Sequence, residues 1–254
     1  MTKPINTMLY IIRTVVKMTD FSKIRKKTQL TSLAVSSIIF AVALYGILTH
    51  NDSYFEIGLL LIGFMIAGAL LLAPLFGRFW CGWLCPRGTF LEYFLGKLSR
   101  NGSIPKHLRT TKFKLFIASI MAVMFIIVLM GMNPFVASED TLASIGGFIV
   151  FLCIVTTLLV SIPLGLFYMP RTWCSFCPVG YAQSLMSKDR ILKVSIEDCK
   201  NCKRCHSECQ LDLCSSHTGK SKTIDHPDCF SCMKCTDSCR IGASKPVIKL
   251  GTAD

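Results

Sequence analysis

The sequence predicts an all-α membrane domain of four transmembrane helices, arranged as two repeated hairpins, and a C-terminal α+β domain of the bacterial 2[4Fe-4S] ferredoxin type. Of the 254 residues, 52% are hydrophobic and only 17% are charged, which is too apolar for an ordinary soluble domain. One spacing of four cysteines also occurs twice near the C-terminus. The predicted domains are a basic segment at residues 1–29, the four-helix domain at 30–187 and the ferredoxin-like domain at 188–254.

The first segment is basic and contains an amphipathic stretch. Apolar side chains recur at helical spacing over residues 5–19, which is typical of a helix lying on the membrane surface. Lys23, Arg25, Lys26 and Lys27 then follow and are expected to anchor the first span on the cytoplasmic side.

Four stretches contain no charged residue, and each has the length of about 20 residues that a helix needs to cross a bilayer. They are residues 30–49, 57–77, 115–138 and 141–170. Pro163 is expected to kink the last of them, because proline lacks a backbone N–H group.

The distribution of charge predicts the topology. Every Lys and Arg lies before the first span, between the second and third spans, or after the fourth. By the positive-inside rule, both termini are cytoplasmic and the protein is a multi-pass protein of the inner membrane. This topology accounts for the net charge of +13, so no nucleic-acid partner is predicted. The other two turns carry only acidic charges: Asp52, Glu56, Glu139 and Asp140.

Two similar cysteine motifs follow the second and fourth spans. The first is a Cys-x3-Cys-Pro motif at residues 81–86, and the second is a Cys-x2-Cys-Pro motif at residues 174–178. Each has a Trp before its first cysteine and a Gly two residues after its Pro. This duplication predicts two hairpins related by a pseudo-two-fold axis along the membrane normal. The tryptophans are interpreted as interfacial belt residues.

The predicted axis brings four thiols together as a candidate third, membrane-proximal centre. An iron-sulfur cluster would use all four thiolates, and the sequence favours this interpretation. A zinc or other metal site and free redox-active thiols remain open. Nearby arginines are expected either to offset thiolate charge or to anchor the topology. The four residues are Cys81, Cys85, Cys174 and Cys177.

Two further cysteines belong to neither motif nor cluster. Cys153 lies within the fourth predicted span and is interpreted as a small buried apolar residue. Cys214 fits the spacing of neither four-cysteine run and is interpreted as structural or free.

Residues 199–239 contain the spacing Cys-x2-Cys-x2-Cys-x3-Cys twice. In bacterial two-cluster ferredoxins, the last cysteine of each such run ligates the cluster of the other run. Zinc knuckles and disulfide frameworks are typical of other spacings, and the cytoplasm keeps thiols reduced. The predicted ligands are Cys199, Cys202, Cys205 and Cys239 for cluster 1, and Cys229, Cys232, Cys235 and Cys209 for cluster 2.

The joint pattern of W-C-G-W-L-C-P-R-G, W-C-S-F-C-P-V-G and two four-cysteine runs resembles the NapH/MauN family of ferredoxin-type membrane proteins over nearly the whole chain. A similar membrane unit occurs in NosR-type and CcoG/RdxA-type proteins. The resemblance implies quinol oxidation in the inner membrane and electron delivery to a periplasmic reductase or maturation system. It also implies a partner iron-sulfur or cytochrome redox protein and a terminal oxidoreductase. The second motif has a two-residue spacer where the family usually has three, and no flavin is expected.

These patterns predict an electron-transfer subunit, of the quinol dehydrogenase type, rather than a stand-alone enzyme. It would pass electrons between the quinone pool and a partner redox protein through [4Fe-4S] clusters. The alternative is an assembly factor that uses cytoplasmic electrons to reduce a metal or thiol while an exported metalloenzyme matures. A third hypothesis is a structural anchor that docks a partner. The sequence identifies no quinone pocket and no direction of electron flow.

Overall fold

The computed structural model describes residues 21–49, 63, 66–131, 141–187, 190–214 and 222–248. Helices dominate these residues, and a small sheet lies towards the C-terminus. The predicted surface helix at residues 5–19 and the two acidic turns fall outside the described residues.

The helices, in chain order, are Phe21–Thr49 (α1), Ile66–Phe76 (α2), Phe79–Trp83 (α3), Pro86–Leu95 (α4), Thr111–Leu129 (α5), Thr141–Val155 (α6), Ile162–Phe167 (α7), Pro178–Met186 (α8), Arg204–Glu208 (α9) and Lys234–Asp237 (α10). Short 3-10 helices span Lys106–Arg109 and Thr172–Ser175, and a π-helix spans Thr156–Ser161.

Three described helical segments are long and apolar enough to cross a membrane. They are Phe21–Gly46, Thr111–Leu129 and Ile145–Phe167. At most 33% of the most apolar stretch of any of them is buried inside the protein, so most of their apolar surface is available to lipid. Helix α2 is also apolar, but most of the first half of its predicted span lies outside the described residues. The second predicted span, residues 57–77, therefore stays a prediction.

Helix α1 begins well before residue 30, where the first span was predicted to start, because its first turns bind the rest of the protein. Arg25 Nε donates to the carbonyl oxygen of Gly82 at 3.0 Å, and Gln29 Nε2 donates to the same oxygen at 2.9 Å. Both side chains are buried. Arg25, which the sequence analysis predicted to be a membrane anchor, therefore also fixes α1 to the first cysteine motif.

The last span changes from α to π geometry before Pro163. The π-helix ends at Ser161, whose hydroxyl donates to the carbonyl oxygen of Thr156 at 3.0 Å. Cys153, in the same span, is exposed, so the prediction of a buried residue is wrong. Its helix is long and apolar enough to cross a membrane, and lipid there would suit a weakly polar S–H group as well as a protein core does.

The C-terminal domain contains an antiparallel sheet of order β2-β1-β3. Strand β1 (Leu192–Ile196) pairs with both β2 (Lys222–Ile224) and β3 (Ser244–Ile248). Alternate β1 side chains, Val194 and Ile196, are buried in a core that several cysteines border. The described residues thus form an α+β unit in which the sheet covers one side of the cysteine cluster.

Candidate metal centres

The first predicted cysteine set lines one cavity of about 240 Å³ in the C-terminal domain. The last cysteine of the second run, Cys239, borders this cavity, whereas Cys209 does not. This placement is what the predicted exchange of the last cysteines between the two runs requires, and the ligation itself stays a prediction. The four predicted ligands that line it are Cys199, Cys202, Cys205 and Cys239.

The second predicted set lines a smaller cavity of about 30 Å³. Cys214 is buried and borders both cavities. Its side chain forms a hydrogen bond with Cys209 that lowers the pKa of the Cys209 thiol to about 6. Cys209 is thereby favoured as the thiolate, which is the form that ligates metals. The four cysteines are Cys209, Cys229, Cys232 and Cys235.

The two runs share one backbone conformation. Lys203 and Met233, at equivalent positions, both have φ 58°, and Asn201 and Ser231 have φ 52° and 49°. Left-handed residues of this kind turn successive amide N–H groups towards an anion. The amide of Asn201 already lies 3.4 Å from Cys199 Sγ as a donor. None of the four residues is glycine, and only Asn201 is of a type that readily adopts this conformation.

A second kind of site forms where the two membrane-proximal motifs meet. Cys81 and Cys174 belong to one buried cluster. Cys85 and Cys177 lie near enough for their charges to act on both of these thiols. The structure thus brings together the four thiols that the duplicated motif was predicted to place at one point. Whether they ligate a metal stays a prediction.

Two buried arginines connect the motifs reciprocally. Arg78 Nη2 donates to the carbonyl oxygen of Cys174 at 2.5 Å, and Arg171 Nη1 donates to the carbonyl oxygen of Cys81 at 2.6 Å. A Cβ atom on Gly180 would overlap the Arg78 guanidinium. Each motif therefore accommodates the arginine of the other, as expected for duplicated motifs that face each other.

Glu92, on α4, joins three parts of the chain. Its Oε2 atom lies 2.6 Å from Arg25 Nη2 and 2.7 Å from Arg171 Nη2, and its Oε1 atom lies 2.9 Å from Lys234 Nζ. Burial alone would raise the pKa of Glu92, but the three cations hold it far below its usual range. Lys234 precedes Cys235, so this carboxylate ties α1 and both motifs to the second cysteine site.

Asp228 makes a similar connection beside Cys229. Its carboxylate lies 3.2 Å from Arg78 Nη1 and 2.6 Å from Lys114 Nζ. Burial opposes ionisation, yet Arg78 and Lys114 lower the pKa of Asp228 below its ordinary value. The buried charge of Arg78 is therefore compensated from the C-terminal domain.

Phe230 packs between the C-terminal domain and the membrane-proximal site. The Cζ atoms of Arg78 and Arg171 lie 5.0 and 5.3 Å from its ring centroid, within the range of cation–π attraction. Phe230 shares a buried cluster with Cys81 and Cys174, and Cys232 packs against that cluster. One cysteine of the second site therefore lies against the hydrophobic core that contains the membrane-proximal thiols.

The tryptophans near these thiols do not all lie in an interfacial belt. Trp83 and Trp173 are 7% and 5% exposed. Trp83 Nε1 donates to the carbonyl oxygen of Ser231 at 3.1 Å. The belt interpretation is therefore wrong for these two residues, which pack inside the protein.

Replacing Gly82 by alanine is expected to weaken the docking of the C-terminal domain. A Cβ atom there would lie 2.6 Å from the backbone oxygen of Phe230, which cannot move aside as a side-chain tip can. We expect a lower melting temperature in detergent and faster proteolysis of the C-terminal domain. Gly63→Ala is the control, because no atom of the described residues lies within 4 Å of its added Cβ. Equal melting temperatures for the two variants would contradict this account of the interface.

The donors around the membrane-proximal thiols fit an anionic, acceptor-rich centre. A buried N–H group without an acceptor lowers the stability of a protein. Several such groups among the described residues lie in or beside these two motifs. Thiolates and the sulfides of an iron-sulfur cluster would supply acceptors for them. The donors are Arg78 Nε, Arg87 Nε, Arg171 Nε, Trp173 Nε1 and Gln183 Nε2.

The arrangement of thiols separates the interpretations left open by the sequence. Burial raises the pKa of Cys81 to about 12 and that of Cys174 to about 11, so free thiols here would be protonated and unreactive at neutral pH. In the described part of the chain, no three His, Cys, Asp or Glu side chains converge as ligands of a single ion would. Free redox-active thiols are therefore disfavoured at this site, and a metal centre held by the four cysteines stays a prediction.

Comparison with known proteins supports this chemistry. The family model described as a 4Fe-4S binding domain matches residues 57–105 and 146–196, and each segment contains one membrane-proximal Cys-Pro motif. An uncharacterized protein of Methanocaldococcus jannaschii is 26% identical to this chain over 186 residues. The match covers 69% of this chain and 66% of that protein, so the chain spans slightly less than two thirds of its relative's length. No solved structure matches the chain. The chain therefore contains a ferredoxin-type 4Fe-4S binding domain, as expected of an iron-sulfur protein.

Proposed function

We propose that the protein is a membrane-bound electron-transfer subunit of the NapH/MauN type that passes electrons between the quinone pool and a partner redox protein. The observation that carries the proposal is the continuity of the three cysteine sites. Cys214 borders both cavities of the C-terminal domain. Cys232, from the second of these sites, packs against the core that contains Cys81 and Cys174. Centres in such a sequence suit stepwise electron transfer.

In this proposal, the cysteines hold three [4Fe-4S] clusters, which supply one-electron storage when bound. The chain itself holds the sites in register and excludes water from the contact between them. Phe230 fills that contact, and Arg78 and Arg171 bring positive charge to it. Because positive charge near a cluster favours its reduced form, the two arginines would keep the membrane-proximal centre reducible.

The proposed location is the inner membrane, with both termini in the cytoplasm. Three apolar helices and the one-sided distribution of Lys and Arg support it. The proposed partners are quinone, an iron-sulfur or cytochrome redox protein and a terminal oxidoreductase. The C-terminal domain would then exchange electrons on the cytoplasmic side.

Addition of duroquinol to the oxidised, anaerobically purified protein is expected to bleach the iron-sulfur absorbance. The bleaching should be lost in Cys81→Ser/Cys174→Ser, because quinone exchange is proposed at the membrane-proximal centre. In Cys199→Ser the bleaching should persist with a smaller amplitude, because this substitution alters only cluster 1 of the C-terminal domain.

Absence of bleaching in the wild type with intact clusters would contradict quinol oxidation. Reduction of Cu(II) by the dithionite-reduced protein, with no response to duroquinol, would instead favour the assembly factor. Clusters that respond to neither dithionite nor duroquinol would favour a structural anchor.

A further inference from the structure

Gln183 is a buried amide in contact with a membrane-proximal cysteine. It lies on α8 and is 0% exposed. The thiol of Cys81 donates to its Oε1 atom at 3.2 Å. Its Nε2 atom has no hydrogen-bond partner among the described residues. One end of the amide thus meets the cysteine, and the other end has two N–H donors without an acceptor.

The other motif has an apolar residue at the position equivalent to Gln183. When the two motifs are aligned on their Cys-Pro pairs, Gln183 corresponds to Leu91. Leu91 is also 0% exposed, so both positions are interior. A leucine at position 183 would avoid the cost of burying an amide. At these two equivalent interior positions, the first repeat therefore has an apolar side chain and the second has an amide.

The direction of the hydrogen bond between Gln183 and Cys81 depends on whether this cysteine ligates a metal. A thiolate that ligates metal has no S–H group, so Oε1 would face a negatively charged sulfur. Rotation of the terminal amide exchanges the positions of Oε1 and Nε2. This rotation breaks no hydrogen bond of Nε2, since the described residues offer it none. It replaces a repulsive contact by an N–H···S hydrogen bond.

We propose that Gln183 donates an N–H···S hydrogen bond to the sulfur of Cys81, or to a cluster sulfide beside it, and so raises the reduction potential of the membrane-proximal centre. Donors to cluster sulfur stabilise the reduced form, which carries more negative charge. The inference rests on the proposed ligation by Cys81. It makes Gln183 a positioning residue that tunes one centre from one side.

The test is an EPR-monitored redox titration of Gln183→Leu, which installs the residue of the other repeat. The membrane-proximal signal is expected at a lower potential than in the wild type, with the other two centres and the iron content unchanged. Ser184→Ala is the matched control, because within the described part of the chain its hydroxyl donates to the carbonyl oxygen of Tyr181, in its own helix, at 2.8 Å. An unchanged potential in Gln183→Leu with full iron content would overturn the proposal.

A second variant covers the case in which Gln183→Leu loses the centre. Gln183→Met keeps the length of the side chain but removes both N–H donors, so it should also lower the potential; a wild-type potential there would overturn the proposal. If the Cys81→Ser/Cys174→Ser variant kept the full iron content, the proposed ligation itself would fail. An unchanged potential at full iron content in a Gln183 variant would remove only the role of Gln183.

Discussion

Replacing Glu92 by glutamine is expected to lower the free energy of unfolding by about 3–5 kcal/mol, the usual result of breaking a buried ion pair from one side. The variant leaves Arg25 and Arg171, which are 4% and 1% exposed, without their carboxylate. Denaturation in detergent, followed by circular dichroism, measures the change. Lys234 also loses its partner, so the C-terminal domain should become more sensitive to protease.

Because of the same carboxylate, we expect the stability of the fold to decrease in acid. A carboxyl group whose pKa is lower in the folded than in the unfolded protein stabilises the fold above its unfolded pKa, about 4.3 for Glu. That stability is lost as the pH falls towards the folded pKa. The wild type should therefore lose stability below about pH 4, and Glu92→Gln should lose less over the same range.

Asp225→Asn is the matched control for Glu92→Gln. Asp225 is 52% exposed and pairs only with Lys193 among the described residues, at 2.9 Å. Exposed pairs of this kind contribute about 0–1 kcal/mol. If both substitutions changed stability equally, Glu92 would not have the connecting role described above.

The cysteine sites were largely predictable because their signal is local. Spacing alone predicted that Cys239 belongs with the first run and Cys209 with the second, and each borders the corresponding cavity. Duplication of the Cys-Pro motif likewise predicted that Cys81 and Cys174 would approach each other. Ligation at these sites remains to be measured.

The contacts that hold the sites together were not predictable in the same way. Glu92 and Asp228 are single carboxylates with partners far away in the sequence, so no periodicity or spacing marks them. Arg25 was predicted to be a membrane anchor because a cluster of basic residues before a transmembrane span usually has that role. One further signal was available: Gln183 is an amide at the position where the other repeat has Leu91.

The central claim, a third cluster at the membrane-proximal thiols, is tested most directly by counting iron and sulfide in anaerobically purified protein, with EPR of the reduced state. The wild type is expected to contain about twelve irons, and Cys81→Ser/Cys174→Ser about eight, since each cubane holds about four. Ser184→Ala, which removes a hydroxyl that donates to the carbonyl oxygen of Tyr181 within its own helix, should keep about twelve. About eight irons in all three proteins would contradict the claim.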